Sequence, residues 1–258
     1  EDLLSLADED RLDGLIVATT PDNQATVALA ALEHQVPALI EKPLGLTSEV
    51  PSRLLEVQRL RPAILLINYV HLCAPAYQEL KRRVLANPSD PPRWIVSEGY
   101  NRGPKRSFAS LWDYGPHDLA MCLDLMGWRD PLQVQTVRRL TSTHGELFEI
   151  DAALAQTSIR LRCGNGGQTK RRFFQIVCKS GRTLAYDDSL LHPHKLQENG
   201  ASVAVDVGTP LDRALERLVQ GIILWKMGLW NHADSDLVLS LHINQSIEQI
   251  LRQPAHRD

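Results

Sequence analysis

The stretch "PALIEKPLG" (37–45) decides how this chain folds. An apolar run breaks off at Glu41-Lys42-Pro43. Strands buried on both faces of a parallel sheet read as continuous apolar runs. An acid and a base at the end of such a strand are costly unless they are solvated or paired. The stretch therefore reads as a buried strand with a polar tip.

The segments on either side have the same form. Gly14 to Thr19 is an apolar run that ends in a turn, and Ala63 to Ile67 is another that ends at Asn68. Residues 2–7, "DLLSLA", read as a helix tail. Apolar residues at helical spacing predict helices over Asn23–His34, Ser48–Leu60 and Ala76–Leu85. Strands alternating with helices imply right-handed parallel crossover units. Ligands of such sheets bind beyond the carboxyl ends of the strands. The tips Thr19-Thr20, Glu41-Lys42 and Asn68 are thus expected along one sheet edge, as a candidate site.

From Arg93 the texture changes. The Pro-rich break "NPSDPP" (87–92) marks a domain boundary and gives domains 1–92 and 93–258. Strand-prone segments follow at 94–100, 132–140, 148–154, 157–162, 171–178 and 182–186, with "CGNGG" (163–167) and "SGR" (180–182) as hairpin turns. Helices are expected at Pro116–Met126, Leu211–Trp225 and Asp236–Leu251. The fold class is α/β: a partial parallel sheet of Rossmann type, then an α+β domain with a mostly antiparallel, open-faced sheet.

Composition narrows the function. Net charge is −3, so there is no electrostatic footprint for nucleic acid or an anionic membrane. The clusters Lys81-Arg82-Arg83 and Lys170-Arg171-Arg172 read as a solvated helix face and a polar strand end. No apolar run reaches the roughly 18 residues of a membrane span. Cys73, Cys122, Cys163 and Cys178 are scattered without a Cys-x-x-Cys pair, which suits reduced thiols in a cytoplasmic protein and no metal site.

A second stretch, "LWDYGPHDLAMCLDLMG" (111–127), carries acid–base residues. Pro116 fits the first turn of a helix. His117 then sits at a helix N-terminus, where the macrodipole favours the neutral imidazole, and a neutral imidazole serves as a general base. Asp113 is placed to orient it. An alternative is a capping cluster, in which Asp113 and Asp118 satisfy first-turn N–H groups and His117 lies on the surface. Lys42, at the tip of a buried strand, is a candidate proton donor, and Pro43 fixes the backbone beyond it.

Taken in order, these segments resemble the Gfo/Idh/MocA oxidoreductases. "DGLIVATTPDNQ" (13–24) resembles that family's strand ending in Ala-Thr-Pro-Asn, and "EKPLG" (41–45) its Glu-Lys-Pro signature. "INYVHLCAPAY" (67–77) is similar to the segment after its sixth Rossmann strand, and "DYGPHD" (113–118) to its Asp-x-Gly-x-His segment. The resemblance implies hydride transfer between NAD or NADP and a hydroxyl or carbonyl carbon of a sugar, polyol or cyclitol-like substrate. It implies catalytic roles for Lys42, Asp113 and His117, and cofactor contacts from Thr19, Thr20, Pro21, Asn23, Glu41, Lys42, Pro43 and Asn68. Asn101, Arg102 and Trp112 are expected at the substrate by position. A homo-oligomer, dimer or tetramer, is expected through the second-domain sheet.

The sequence departs from that pattern. Ala25 and Ala120 replace a His and an Asp often found there. No Gly-x-Gly-x-x-Gly turn occurs. In that family "DGLIVAT" corresponds to a fourth Rossmann strand, so the chain is expected to lack the Gly-rich half, with Leu15, Ile16 and Val17 on an apolar edge; it is then a fragment of a longer enzyme, the favoured reading, a truncated protein, or one whose sheet a partner chain completes. Two other readings are a non-catalytic binding or oligomerisation protein, and a metal-dependent lyase or hydrolase using Asp113, His117, His192 and His194.

Overall fold

Three short strands, β1 (Leu15–Val17), β2 (Ala38–Ile40) and β3 (Leu65–Ile67), form a parallel sheet in the order β1-β2-β3. The structure is a computed structural model and describes residues 12–128, 130–230 and 236–254. The helix tail expected over 2–7 lies outside the described residues. Helices α1 (Pro21–Glu33) and α2 (Glu49–Leu60) make the crossovers. Proline opens α1, where a missing N–H costs nothing, and Asp22 complements the helix dipole. Register pairs Leu15 with Ala38 and Val17 with Ile40, then Ala38 with Leu65 and Ile40 with Ile67. Among the described residues β1 pairs only with β2, and Ile16 on it is 65% exposed.

The chain forms two compact units: Glu1–Val70 with Leu211–Gln245, and His71–Pro210 with Ser246–Asp258. The division falls at a 3-10 turn, Val70–Cys73, rather than in the Pro-rich segment 87–92. The reason is packing. Helix α3 (Pro75–Leu85) ties itself to the second unit: the Tyr77 hydroxyl donates to the Met121 carbonyl at 2.9 Å, and Lys81 pairs with Asp124 at 2.8 Å.

The first unit gains a helix from far along the chain. Leu39, Ile64 and Leu66 form a core cluster with Leu218, one of two buried residues of the helix Pro210–Lys226. Asp236 accepts from the Ile67 amide at 2.9 Å and pairs with Arg217. Asn244 donates to the carbonyls of Leu44 (3.0 Å) and Thr47 (2.8 Å), which anchors the chain just after the β2 tip.

The second unit is built on an eight-stranded sheet. Its strands are β4 (Pro92–Arg102), β5 (Gln133–Ser142), β6 (Gly145–Leu154), β7 (Thr157–Gly164), β8 (Gly166–Cys178), β9 (Thr183–Asp187), β10 (Leu196–Glu198) and β11 (Ala201–Val203). The order is β11-β10-β9-β8-β4-β7-β6-β5, antiparallel except for β4 with β7. The β10–β11 hairpin has no counterpart in the sequence reading, because three-residue strands are below the length at which alternation can be seen. "SGR" does join paired strands, β8 and β9. "CGNGG" does not: β7 and β8 lie on opposite sides of β4. The glycines serve a sharp crossing over the end of β4, where Gly164 has φ +148° and a Cβ would strike the Glu146 carbonyl.

Helix α4 (Ser110–Met126) covers one face of this sheet, packing on β4, β6 and β7. It begins six residues earlier than Pro116. Proline therefore sits inside it, in the second turn, where its absent N–H leaves out one helical bond. No residue of α4 caps its own N-terminus. The Glu146 carboxylate, from β6, accepts from the Ser110 amide at 3.1 Å instead. The two carboxyl-terminal helices are α5 (Pro210–Lys226) and α6 (Leu237–Arg252). Among the described residues no helix is long and apolar enough to cross a membrane.

Candidate active site

In the first unit the polar strand tips meet as the alternation predicts. The Glu41 amide donates to the Val17 carbonyl at 2.8 Å, and the Asn68 amide to the Ile40 carbonyl at 2.7 Å. The ladder thus continues one residue past each strand and brings the tips into line. Asn68 Nδ2 donates to Glu41 Oε1 at 2.5 Å. The acid at the end of the apolar run is therefore paired, and Lys42, half-buried, follows it through a cis bond to buried Pro43. Thr19, Thr20 and Asn23 are exposed at the β1 tip, with Pro21 half-buried beside them. Gln24 Nε2 donates back to the Thr19 carbonyl at 3.0 Å and holds that turn.

Two acceptors at these tips have no hydrogen-bond partner among the described residues: Gln24 Oε1 and Asn68 Oδ1. Their side chains are only 1% and 6% exposed. A buried unmet acceptor costs stability unless a donor arrives from elsewhere. The hydroxyl and carboxamide donors of a nicotinamide nucleoside fit that need.

In the second unit, Asp113 and His117 lie one helical turn apart on α4 and so share a face. Asp113 Oδ2 accepts from Arg106 Nε at 2.8 Å. The helix starts at Ser110, which places His117 beyond the first turn and removes the macrodipole as the cause of a neutral imidazole. Asp118 is not a cap. It is fully buried, accepting from Arg172 Nη1 at 2.6 Å and Ser97 Oγ at 2.5 Å. Burial pushes its carboxyl up, and Arg172 and Ser97 pull it back. Gly99 leaves room for the pair, since a Cβ there would collide with both the Arg172 guanidinium and the Asp118 carboxylate. Arg172 is accordingly a buried partner of α4 and not the polar strand end its sequence neighbours suggest.

Of the other expected substrate residues, Asn101 accepts from the Tyr114 hydroxyl, Arg102 is exposed at the end of β4, and Trp112 is 5% exposed. A polar cavity of about 280 Å³ lies at the N-terminus of α4, lined by Lys105, Arg106, Arg139 and Glu146 among others, and does not include His117.

His71, beside His117, and Tyr186, beside His71, escaped the sequence reading. The His71 ring meets the His117 ring edge to face, with centroids 5.0 Å apart, and His71 Nδ1 lies 3.1 Å from the Tyr186 hydroxyl. His71 stands in a segment already singled out, "INYVHLCAPAY", but without a spacing that marks it. Tyr186 reads simply as a strand residue. Among the described residues no group of three or more His, Cys, Asp or Glu side chains could hold a metal ion.

Residues 1–69 match the model of the oxidoreductase family with an NAD-binding Rossmann fold (GFO_IDH_MocA). Inositol 2-dehydrogenase 4 of Saccharopolyspora erythraea is 26% identical over 234 residues, 85% of this chain and 68% of that protein. A solved structure from Magnetospirillum magnetotacticum MS-1, described as an oxidoreductase, has a TM-score of 0.82 at 25% identity, covering 96% of this chain and 83% of its own. A mutant 3-ketoreductase from Actinomadura kijaniata, in complex with TDP-benzene and NADP, has a TM-score of 0.76 at 15% identity, covering 100% of this chain and 82% of its own. The fold is thus that of these neighbours: a small parallel sheet with helical crossovers, and a larger, mostly antiparallel sheet.

Proposed function

We propose that this chain is, or is part of, an NAD(P)-dependent oxidoreductase acting on a hydroxyl or carbonyl carbon of a sugar, polyol or cyclitol-like substrate. The Glu41-Lys42-Pro43 tip carries this reading. It is paired through Asn68 at the carboxyl end of the middle parallel strand, inside the segment that matches an NAD-binding family. The similarity to an inositol dehydrogenase supports the substrate class. NAD and NADP both remain in the proposal, and a fold neighbour holds NADP.

When bound, the nicotinamide supplies or accepts the hydride. The residues of this chain hold and move protons. The Lys42 ammonium donates a hydrogen bond to the reacting oxygen and stabilises charge developing there. His117 takes the hydroxyl proton in oxidation and returns it in reduction. Asp113, one turn earlier on the same helix face, binds a substrate hydroxyl and steadies the imidazolium. Thr19, Thr20, Pro21, Asn23, Glu41, Pro43 and Asn68 contact the cofactor, and Asn101, Arg102 and Trp112 the substrate. Association of copies through the open sheet face belongs to the same proposal.

Energy transfer from tryptophan to the reduced nicotinamide, titrated with NADH and NADPH, tests the reading on the chain as it stands. Saturable transfer, with polyol oxidation that Lys42→Ala and His117→Ala each lower by roughly 10²–10⁴-fold, is the expected result. A folded sample showing no transfer with either cofactor overturns it for this chain.

A further inference from the structure

His117 is half-buried against a second imidazole. His71, in the Val70–Cys73 turn, packs edge-on to it with an interplanar angle of 82°. On another side, His71 Nδ1 is 3.1 Å from the hydroxyl of Tyr186, which is fully buried on β9. The Asp188 charge acts on the Tyr186 hydroxyl, and Asp188 pairs with Lys195 at 2.6 Å. Among the described residues, the Arg172 and Asp187 charges also act on the Tyr186 hydroxyl, and Asp113 shares the α4 face with His117.

The phenol has a single proton to give. Burial, with the Asp188 charge, pushes the Tyr186 hydroxyl up, so it stays protonated throughout the neutral range. His71 Nδ1 and that hydroxyl share one hydrogen bond, whose donor is set by the His71 tautomer. Two imidazoles 5.0 Å apart oppose each other's charge, so protonation of one disfavours protonation of the other.

We propose that His71 is a positioning residue for His117, anchored by Tyr186, and that the two rings take up only one proton between them near neutral pH. For its catalytic meaning the inference rests on the reading of His117 as the acid–base group; the coupling itself rests on the geometry alone. A proton accepted by His117 from a substrate hydroxyl leaves that ring as the imidazolium and His71 neutral. A proton already on His71 keeps His117 from accepting one. No bond other than N–H and O–H is made or broken.

Imidazole nitrogen NMR on the full chain, followed through a pH titration, tests this. The expected result is two coupled steps separated by more than about one pH unit. His71→Asn keeps a polar group towards Tyr186 but removes the second titrating ring, and His117 then titrates in a single unsplit step. Tyr186→Phe removes the hydrogen-bond partner of His71 Nδ1 and moves both steps while the fold, read from the amide spectrum, is kept. Independent single-site titration of both rings, unchanged by either variant, overturns the proposal. Neither readout involves a nicotinamide, so loss of this inference and loss of the oxidoreductase reading are separate results.

Discussion

In the three-stranded parallel sheet every residue of β2 and β3 is buried, whereas β4 and β6 of the eight-stranded sheet alternate buried and more exposed positions along most of their length. The two sheets consequently place their polar groups differently. Parallel strands buried along their whole length have nowhere to put polarity except their ends, and there Glu41 and Asn68 are found. The larger sheet keeps one face open and spreads charge across it. Arg160 pairs with Asp151 at 2.7 Å, Arg138 with Glu149 at 3.2 Å and Arg171 with Glu98 at 3.2 Å. Beneath α4, on its covered face, lies the buried ion pair Asp118–Arg172, with side chains 0% and 8% exposed. The same chemistry, carboxylate and guanidinium, is therefore nearly free of cost on one face of one sheet and expensive on the other.

The contrast is open to direct attack. Asp118→Ala leaves the Arg172 charge buried without its partner and is expected to cost about 4 kcal/mol in urea unfolding, whereas Asp151→Ala on the open face costs less than about 1 kcal/mol. Equal losses at the two sites would break the distinction between the faces. Gly99→Ala attacks the buried pair from the strand side by filling its space, and is expected to be strongly destabilising too. In the parallel sheet the largest effect belongs to the core. Leu66→Ala, in the cluster with Leu39, Ile64 and Leu218, should cost about 3 kcal/mol. Asn68→Ala, at a tip of the same sheet, is expected to cost only about 1–2 kcal/mol, the loss of one charge-assisted bond to Glu41. In the nicotinamide titration it should weaken transfer more than it weakens the fold.

The parallel half was legible because its signals are local. Ala38-Leu39-Ile40 announces a strand buried on both faces, and Glu41-Lys42-Pro43 announces its end. The sequence cannot say that helix α5, more than a hundred residues further on, buries Leu218 against that sheet. The same limit explains the misplaced start of α4. Pro116 is the strongest local punctuation in its segment, but the helix is begun upstream by a cap supplied from another strand, Glu146. Arg172 was read from its basic neighbours, although its partner, Asp118, lies 54 positions away. His71 and Tyr186, 115 positions apart, meet only through the sheet order. Constellations within one segment can be read directly; those assembled by tertiary packing cannot.

The smallest expected effect sharpens the comparison on a helix rather than a sheet. On α3 the Glu79 carboxylate accepts from Arg82 Nε at 2.6 Å and Arg83 Nε at 2.7 Å. The Arg82 hydrogen bond, with Arg83 behind it, lowers the Glu79 carboxyl to about 2. A folded-state value below the unfolded one means that the folded chain holds fewer protons between the two. The stabilisation is therefore fully present above the ordinary glutamate range and is lost as pH falls from about 4.5 towards about 2. Arg82 is 66% exposed, so solvent screens the interaction and its worth stays below about 1 kcal/mol. Glu79→Gln should accordingly be slightly less stable than the parent chain at pH 7, equal to it near pH 2, and nearly equal at pH 7 in about 1 M salt. A deficit that persists unchanged at low pH and high salt would mean that packing, not charge, holds this residue. The cheapness of solvent-facing ion pairs, on which the contrast between the two faces of the large sheet depends, would then lose its clearest test case.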